Sequence, residues 1–195
     1  MRNPRVRLLT EIALAVALAW VLNQPPLRFW TMPQGGELSL VMLPIMIVAL
    51  RRGLKAGILT GVLTGAAVYF TEPYVVHPIQ YVVDFPLAFG LIGLSGLWHT
   101  LWSRAVARDT LSWAVWTTIL PAVFFGAAGR YAAHVVSGAV FFGEYAPEGQ
   151  PVWLYSALYN LVVPISAVAC FAAAALLLPI LSRAVDTSAA ATQNG

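Results

Sequence analysis

Charge is the scarcest thing in this chain: of 195 residues, eleven are Lys or Arg and eight are Asp or Glu, 10% together. Ordinary soluble domains are about 25% charged. With 59% apolar residues and a mean hydropathy of +0.77, the polar inventory is too small to cover a water-facing surface. The composition points to an integral membrane protein. Cysteine is nearly absent too. The single one, Cys170, excludes an internal disulfide and, inside "ISAVACFAAAALLL", reads as a small apolar packing residue. Three scattered histidines with no carboxylate spaced beside them give no metal-ligand pattern. No GxxxxGK[ST] phosphate loop occurs, so no ATPase motif is present. The net charge is +3, yet the bases are spread over several loops, which argues against a nucleic-acid partner.

What is abundant is apolar sequence in long runs. A helix needs about 20 residues to cross ~30 Å of hydrocarbon. Six runs qualify as spans, at about 7–23, 38–51, 53–70, 78–101, 115–140 and 152–182, the second short and joined to the third by the tight turn in "LRRGLKAG". Bases accumulate on the cytoplasmic side of membrane proteins. Arg2, Arg5, Arg7, Arg51, Arg52, Lys55, Arg104, Arg108 and Arg183 all fall at one set of span ends. The opposite loops hold Arg28 with Glu37, Glu72, Glu144 and Glu148. The asymmetry predicts an all-α, six-span protein with both termini cytoplasmic, one transmembrane domain over 1–183 and a disordered tail over 184–195. Glu11 interrupts the first run, which favours a retained span over a cleaved leader.

Depth then brings distant polar residues into one layer. Asp84 and His134 each lie six residues in from the outer end of their span, roughly 9 Å deep at ~1.5 Å per residue. Arg130 is one turn deeper on the His134 face, and Tyr155 and Asn160 occupy the same outer third. Ionisable groups inside a membrane cost about 2.5–3.5 kcal/mol or more unless paired or hydrated, and by default mark function. A bland alternative is that Asp84 and Arg130 simply pair to staple two helices. Aromatics crowd the same end, among them Phe29, Trp30, Tyr74, Phe85, Phe142, Tyr145, Tyr155 and Tyr159. Interfacial belts account for some of these. A carboxylate beneath aromatic rings is also what a flat cationic ligand requires.

One competing motif is set aside by depth. "GLSG" (93–96) matches the nucleophile motif of rhomboid intramembrane proteases. Ser95 lies about 25 Å from the outer edge against roughly 9 Å for His134, so the two cannot approach to the ~2.6–3.2 Å that a nucleophile and its base require. Gly93, Ser95 and Gly96 read instead as close-packing residues.

The stretches "RLLTEIALAVALAW", "MPQGGELSLVMLPIMIVALRRGLKAGILTG", "YVVHPIQYVVDFPLAF", "GRYAAHVVSGAVFFGEYAPEG" and "YSALYN", in order over most of residues 7–165, together resemble the thiamine-specific S components of energy-coupling factor transporters. The resemblance implies a six-helix S-component bundle with no enzymatic activity and no cofactor. Such a subunit captures thiamine from outside and works with a transmembrane coupling subunit and two cytoplasmic ATPases, in the plasma membrane of a prokaryote. It assigns Asp84 to the cationic vitamin and His134 and Gly138 to the same site. Tyr155 and Asn160 fall to the aminopyrimidine, Tyr74 to an external loop, and Ser156 beside Tyr155. Phe85 stands where some relatives have Tyr, Phe142 and Pro147 where some have Trp, and Gly35 where a gating Trp is found. In span one, Ala13 and Ala17 match a small-residue motif that packs on the coupling subunit; physically, AxxxA leaves a flat stripe for another helix. The rivals are an S component for another vitamin or for a hydroxymethylpyrimidine-type precursor, and a solitary proton-coupled carrier using Asp84 or His134.

Overall fold

An apolar environment leaves backbone groups to satisfy one another, and helices do this within a single segment. The computed structural model describes residues 3–33, 35–71, 75–109, 112–174 and 176–177. Tyr74 and the 184–195 tail lie outside the described residues. Among the described residues, six helical runs fall in the six expected segments: α1 (Pro4–Leu22), α2 (Met42–Arg52), α3 (Leu54–Tyr69), α4 (Pro78–Arg108), α5 (Trp113–Phe141) and α6 (Val152–Ala174). The last three are long and apolar enough to cross a membrane, whereas α3 is a shorter apolar helix. With 11 residues, α2 reaches only about 16 Å. A two-stranded antiparallel hairpin, β1 (Trp30–Thr31) and β2 (Glu37–Leu38), lies between α1 and α2.

Local chemistry sets the helix ends. Asn3 accepts the Arg5 amide at 3.0 Å and Pro4 follows at the first helical position, where its missing N–H costs nothing. His77 caps α4 in the same way, its Nδ1 accepting the Ile79 amide at 3.1 Å ahead of Pro78. Between α2 and α3 the chain passes through Gly53 at φ +88°, a conformation glycine adopts without penalty. In α6 the helix breaks at Asn160–Leu161. Pro164 has no N–H to give the Asn160 carbonyl, which instead accepts the Val163 amide at 3.0 Å.

The eight buried residues of α2, Met42–Ile45 with Met46, Val48, Ala49 and Leu50, make it the central helix. Phe89 and Ile92 of α4, Val115, Ile119 and Ala122 of α5, and Val163, Ala167 and Cys170 of α6 join it in one core. Gly57, Gly61 and Gly65 share one face of α3 and lie against the α4 backbone. A Cβ at Gly61 would run into the Phe89 carbonyl oxygen, and one at Gly65 into that of Phe85.

Three of the bases, Arg7, Arg51 and Arg52, gather around the Glu11 carboxylate. Arg52 at the end of α2 makes two 2.6 Å hydrogen bonds to Glu11 of α1, with Arg7 and Arg51 each 3.7 Å from the same carboxylate. His99 of α4 bonds the Leu50 carbonyl at 2.7 Å. Asp84 and His134 sit toward the other ends of α4 and α5.

Candidate binding site

Two departures from regular helix build the site. Around Pro86, α4 widens into a π turn over Val83–Leu87, a distortion that often accompanies function because it re-aims side chains. The turn carries Asp84 and Phe85. The second departure is the α6 break, which carries Asn160. Between them stands the outer half of α5 with Arg130, His134 and Gly138.

These elements enclose a cavity of about 110 Å³, room for several water molecules. Its walls include Asp84, Phe85, His134, Gly138, Phe142, Tyr155, Ser156 and Asn160, every described residue that the sequence reading placed in the site. Tyr74 falls outside the described residues. Glu37, Gln80, Phe89, Arg130, Tyr145 and Tyr159 line the same space. Six aromatic rings therefore face it, and these are pocket walls as well as belt residues. Phe29, Trp30 and Trp153, by contrast, are largely exposed, as a surface belt requires.

Asp84 is held from three directions. Its Oδ2 accepts from Gln80 Nε2 at 2.6 Å and Ser137 Oγ at 2.8 Å, and its Oδ1 lies 3.0 Å from His134 Nδ1. The depth count that put Asp84 and His134 in one layer is matched by direct contact. Gln80 cannot turn its amide around freely: its Oε1 already accepts the Val76 amide at 3.3 Å, which aims Nε2 at Asp84. Arg130 Nε donates to His134 Nε2 at 3.2 Å. Since Arg only donates, His134 Nε2 accepts, so the ring proton sits on Nδ1 and points to Asp84.

Arg130 does not pair with Asp84, contrary to the simple stapling expectation. Its Nη2 bonds Glu37 Oε1 at 2.9 Å, both side chains about 5% exposed or less, and its guanidinium lies 4.4 Å from the centre of the Phe89 ring. Glu37, counted among the outer-loop acids, is in fact buried. It lies in β2 with its side chain buried against Arg130, while both residues of β1, Trp30 and Thr31, are exposed. Gly35 and Gly36, at φ +88° and +91°, turn the chain between the strands.

The remaining expected residues divide into walls and supports. Gly138 brings α6 close, since a Cβ there would run into Ser156 Oγ. Ser156 donates to the Val135 carbonyl at 2.8 Å, so it ties α6 to α5. Asn160 Nδ2 donates to the Ser156 and His134 carbonyls at 2.9 and 3.3 Å, leaving its Oδ1 as the acceptor. Tyr159 of α6 holds the hairpin, donating to the Gly35 carbonyl at 3.1 Å. Among the described residues no group of three His, Cys, Asp or Glu gathers as metal ligands do. Ser95 donates to the Ala122 carbonyl at 2.8 Å and is fully buried, a packing role. On α1, Ala13 and Ala17 are exposed, on a face away from buried Ile12, Ala15 and Ala19.

Residues 9–187 match the model of the thiamine transporter protein family. The chain is 40% identical over 153 residues to the thiamine transporter ThiT of Bacillus subtilis (strain 168), a match covering 78% of this chain and 79% of that protein. It is 32% identical over 163 residues to ThiT of Lacticaseibacillus paracasei, covering 82% and 80%. A solved structure of ThiT from Listeria monocytogenes aligns with a TM-score of 0.82 at 27% identity, over 93% of this chain and 98% of that one. These relatives bear the names of transporters, not of enzymes. A helical, strongly apolar chain with a polar cavity toward one end, matched over most of its length by these relatives, belongs to the thiamine transporter protein family.

Proposed function

We propose that this protein captures thiamine from the extracellular side of a prokaryotic plasma membrane and acts as the S component of an ATP-driven energy-coupling factor transporter. The observation that carries this reading is the carboxylate of Asp84, fixed by three donors at the wall of an aromatic cavity. Asp84 balances the thiazolium charge, and Phe85 and Phe142 supply ring faces for stacking and cation–π contact. Asn160 Oδ1 accepts from the exocyclic amine of the pyrimidine, with the Tyr155 hydroxyl beside it. His134 orients Asp84, while Gly138 and Ser156 set the distance between α5 and α6. Tyr74 belongs to this site by resemblance.

In this reading the six helices cross the membrane with both termini in the cytoplasm, where the bases gather. The exposed Ala13–Ala17 stripe of α1 is the face for the transmembrane coupling subunit, and two cytoplasmic ATPases supply the energy. Calorimetric titration of the purified protein with thiamine tests the ligand; among the described residues no Trp lines the cavity, so heat is a better signal than indole quenching. Saturable one-to-one binding is expected, and binding of hydroxymethylpyrimidine but not thiamine would overturn it. Sealed vesicles holding only this protein should bind thiamine without accumulating it. Uptake there, driven by a proton gradient, would identify a solitary carrier instead.

A further inference from the structure

The buried ion pair beneath the cavity has a role that contact alone does not describe. Among the described residues, the charged side chains lining the cavity are Glu37, Asp84 and Arg130. Arg130 is 3% exposed and connects through His134 to Asp84, at 3.2 Å on one side of the ring and 3.0 Å on the other. Without Glu37, a buried guanidinium would face a cationic ligand two hydrogen bonds from its counter-ion. Such a charge is unscreened by solvent, and isolated buried charges are costly.

We propose that Glu37 and Arg130 together set the charge of the site, Glu37 cancelling Arg130 so that Asp84 meets the ligand as one unopposed negative charge. Glu37 is thereby a specificity determinant for a monovalent cation, delivered from a hairpin outside the α4–α5–α6 walls. It reaches Arg130 across 93 positions of sequence, and both side chains are buried there. Arg130 is a positioning residue as well: its donation to His134 Nε2 keeps the ring proton on Nδ1, directed at Asp84. The inference rests on the thiamine reading, since it needs a cationic ligand to discriminate.

The test compares thiamine with 3-deazathiamine, a neutral isostere in which carbon replaces the quaternary ring nitrogen. Affinities for both are measured by calorimetry on the full chain, and the thiamine-to-isostere ratio is the readout. Glu37→Gln should lower that ratio about tenfold or more, the effect of one unit charge within ~10 Å at an effective dielectric near 20. Arg130→Gln should raise it, the opposite sign, and Glu37→Asp should keep it near the wild-type value. A purely structural role moves both ligands alike, so unchanged ratios in Glu37→Gln and Arg130→Gln overturn the proposal. Should Glu37→Gln not fold, the sign of the Arg130→Gln shift decides. Wild-type protein that binds neither compound overturns the thiamine reading itself.

Discussion

The two halves of α4 solve opposite problems with the same device, a break in regular helix. In the outer half, the π turn over Val83–Leu87 pushes Asp84 and Phe85 toward a cavity, and polar side chains satisfy one another around it. In the inner half, a tight 3-10 stretch over Gly93–Trp98 brings backbone against backbone. A Cβ at Gly93 would run into the Ile58 amide of α3, and one at Gly126 of α5 into Ser95 Oγ. There Ser95 hydrogen-bonds the Ala122 carbonyl of α5, and Trp98 packs on Phe125 of the same helix. Shape does in one half what charge does in the other. The seam of α3 glycines reaches from one to the other, because Gly65 backs the Phe85 carbonyl within the π turn. A close-packed inner half gives the outer half a fixed wall on which to hold an open, charged site.

Substitutions separate the halves by what they damage. The largest effect belongs to the outer half: Asp84→Asn should weaken thiamine binding by about 2 kcal/mol or more, roughly thirtyfold at least. Its melting temperature should change little, because the amide keeps the shape and some of the hydrogen bonds; a folded variant with native affinity would break the charge account. Next, Gly61→Ala should destabilise the protein by about 1–3 kcal/mol, seen as a lower melting temperature in detergent. The obstacle is the Phe89 carbonyl, part of the backbone, so no rotamer change relieves it. Gly138→Ala should be milder in stability and act on binding, lowering thiamine affinity about tenfold, or ~1.4 kcal/mol. There the new methyl meets a serine hydroxyl, which can rotate away at the expense of its bond to Val135. If instead Gly138→Ala lost stability and kept affinity, the division between the halves would fail. The smallest effect is Ser95→Ala, which should cost about 1 kcal/mol of stability and leave thiamine affinity unchanged in the same titration.

The outer layer was legible in the sequence because helical rise is regular enough to compare depths. Counting inward from the span ends put Asp84 and His134 level, and they are 3.0 Å apart. The same arithmetic separated Ser95 from His134, and Ser95 is occupied with a backbone carbonyl. Glu37 was not legible. It is buried by its contact with Arg130, 93 positions away, which no local pattern announces, and an acid in a loop otherwise signals solvent. Gln80 was missed because a neutral amide carries no electrostatic anomaly; its one signal was a position four residues before Asp84, on the same helical face. Pro86 interrupts an apolar run in the sequence, but a proline alone does not say whether a break becomes a kink or a π turn. The glycines of α3 were present at four-residue spacing and needed only to be read as a packing face.

A crystal structure of the protein grown with thiamine tests the central claim most directly. The account predicts the vitamin in the cavity between α4, α5 and α6, its thiazolium against Asp84 and beside Phe85 and Phe142, its aminopyrimidine toward Asn160 and Tyr155. Thiamine bound elsewhere, or in that cavity with the pyrimidine on Asp84 and the thiazolium turned away from it, would contradict the account.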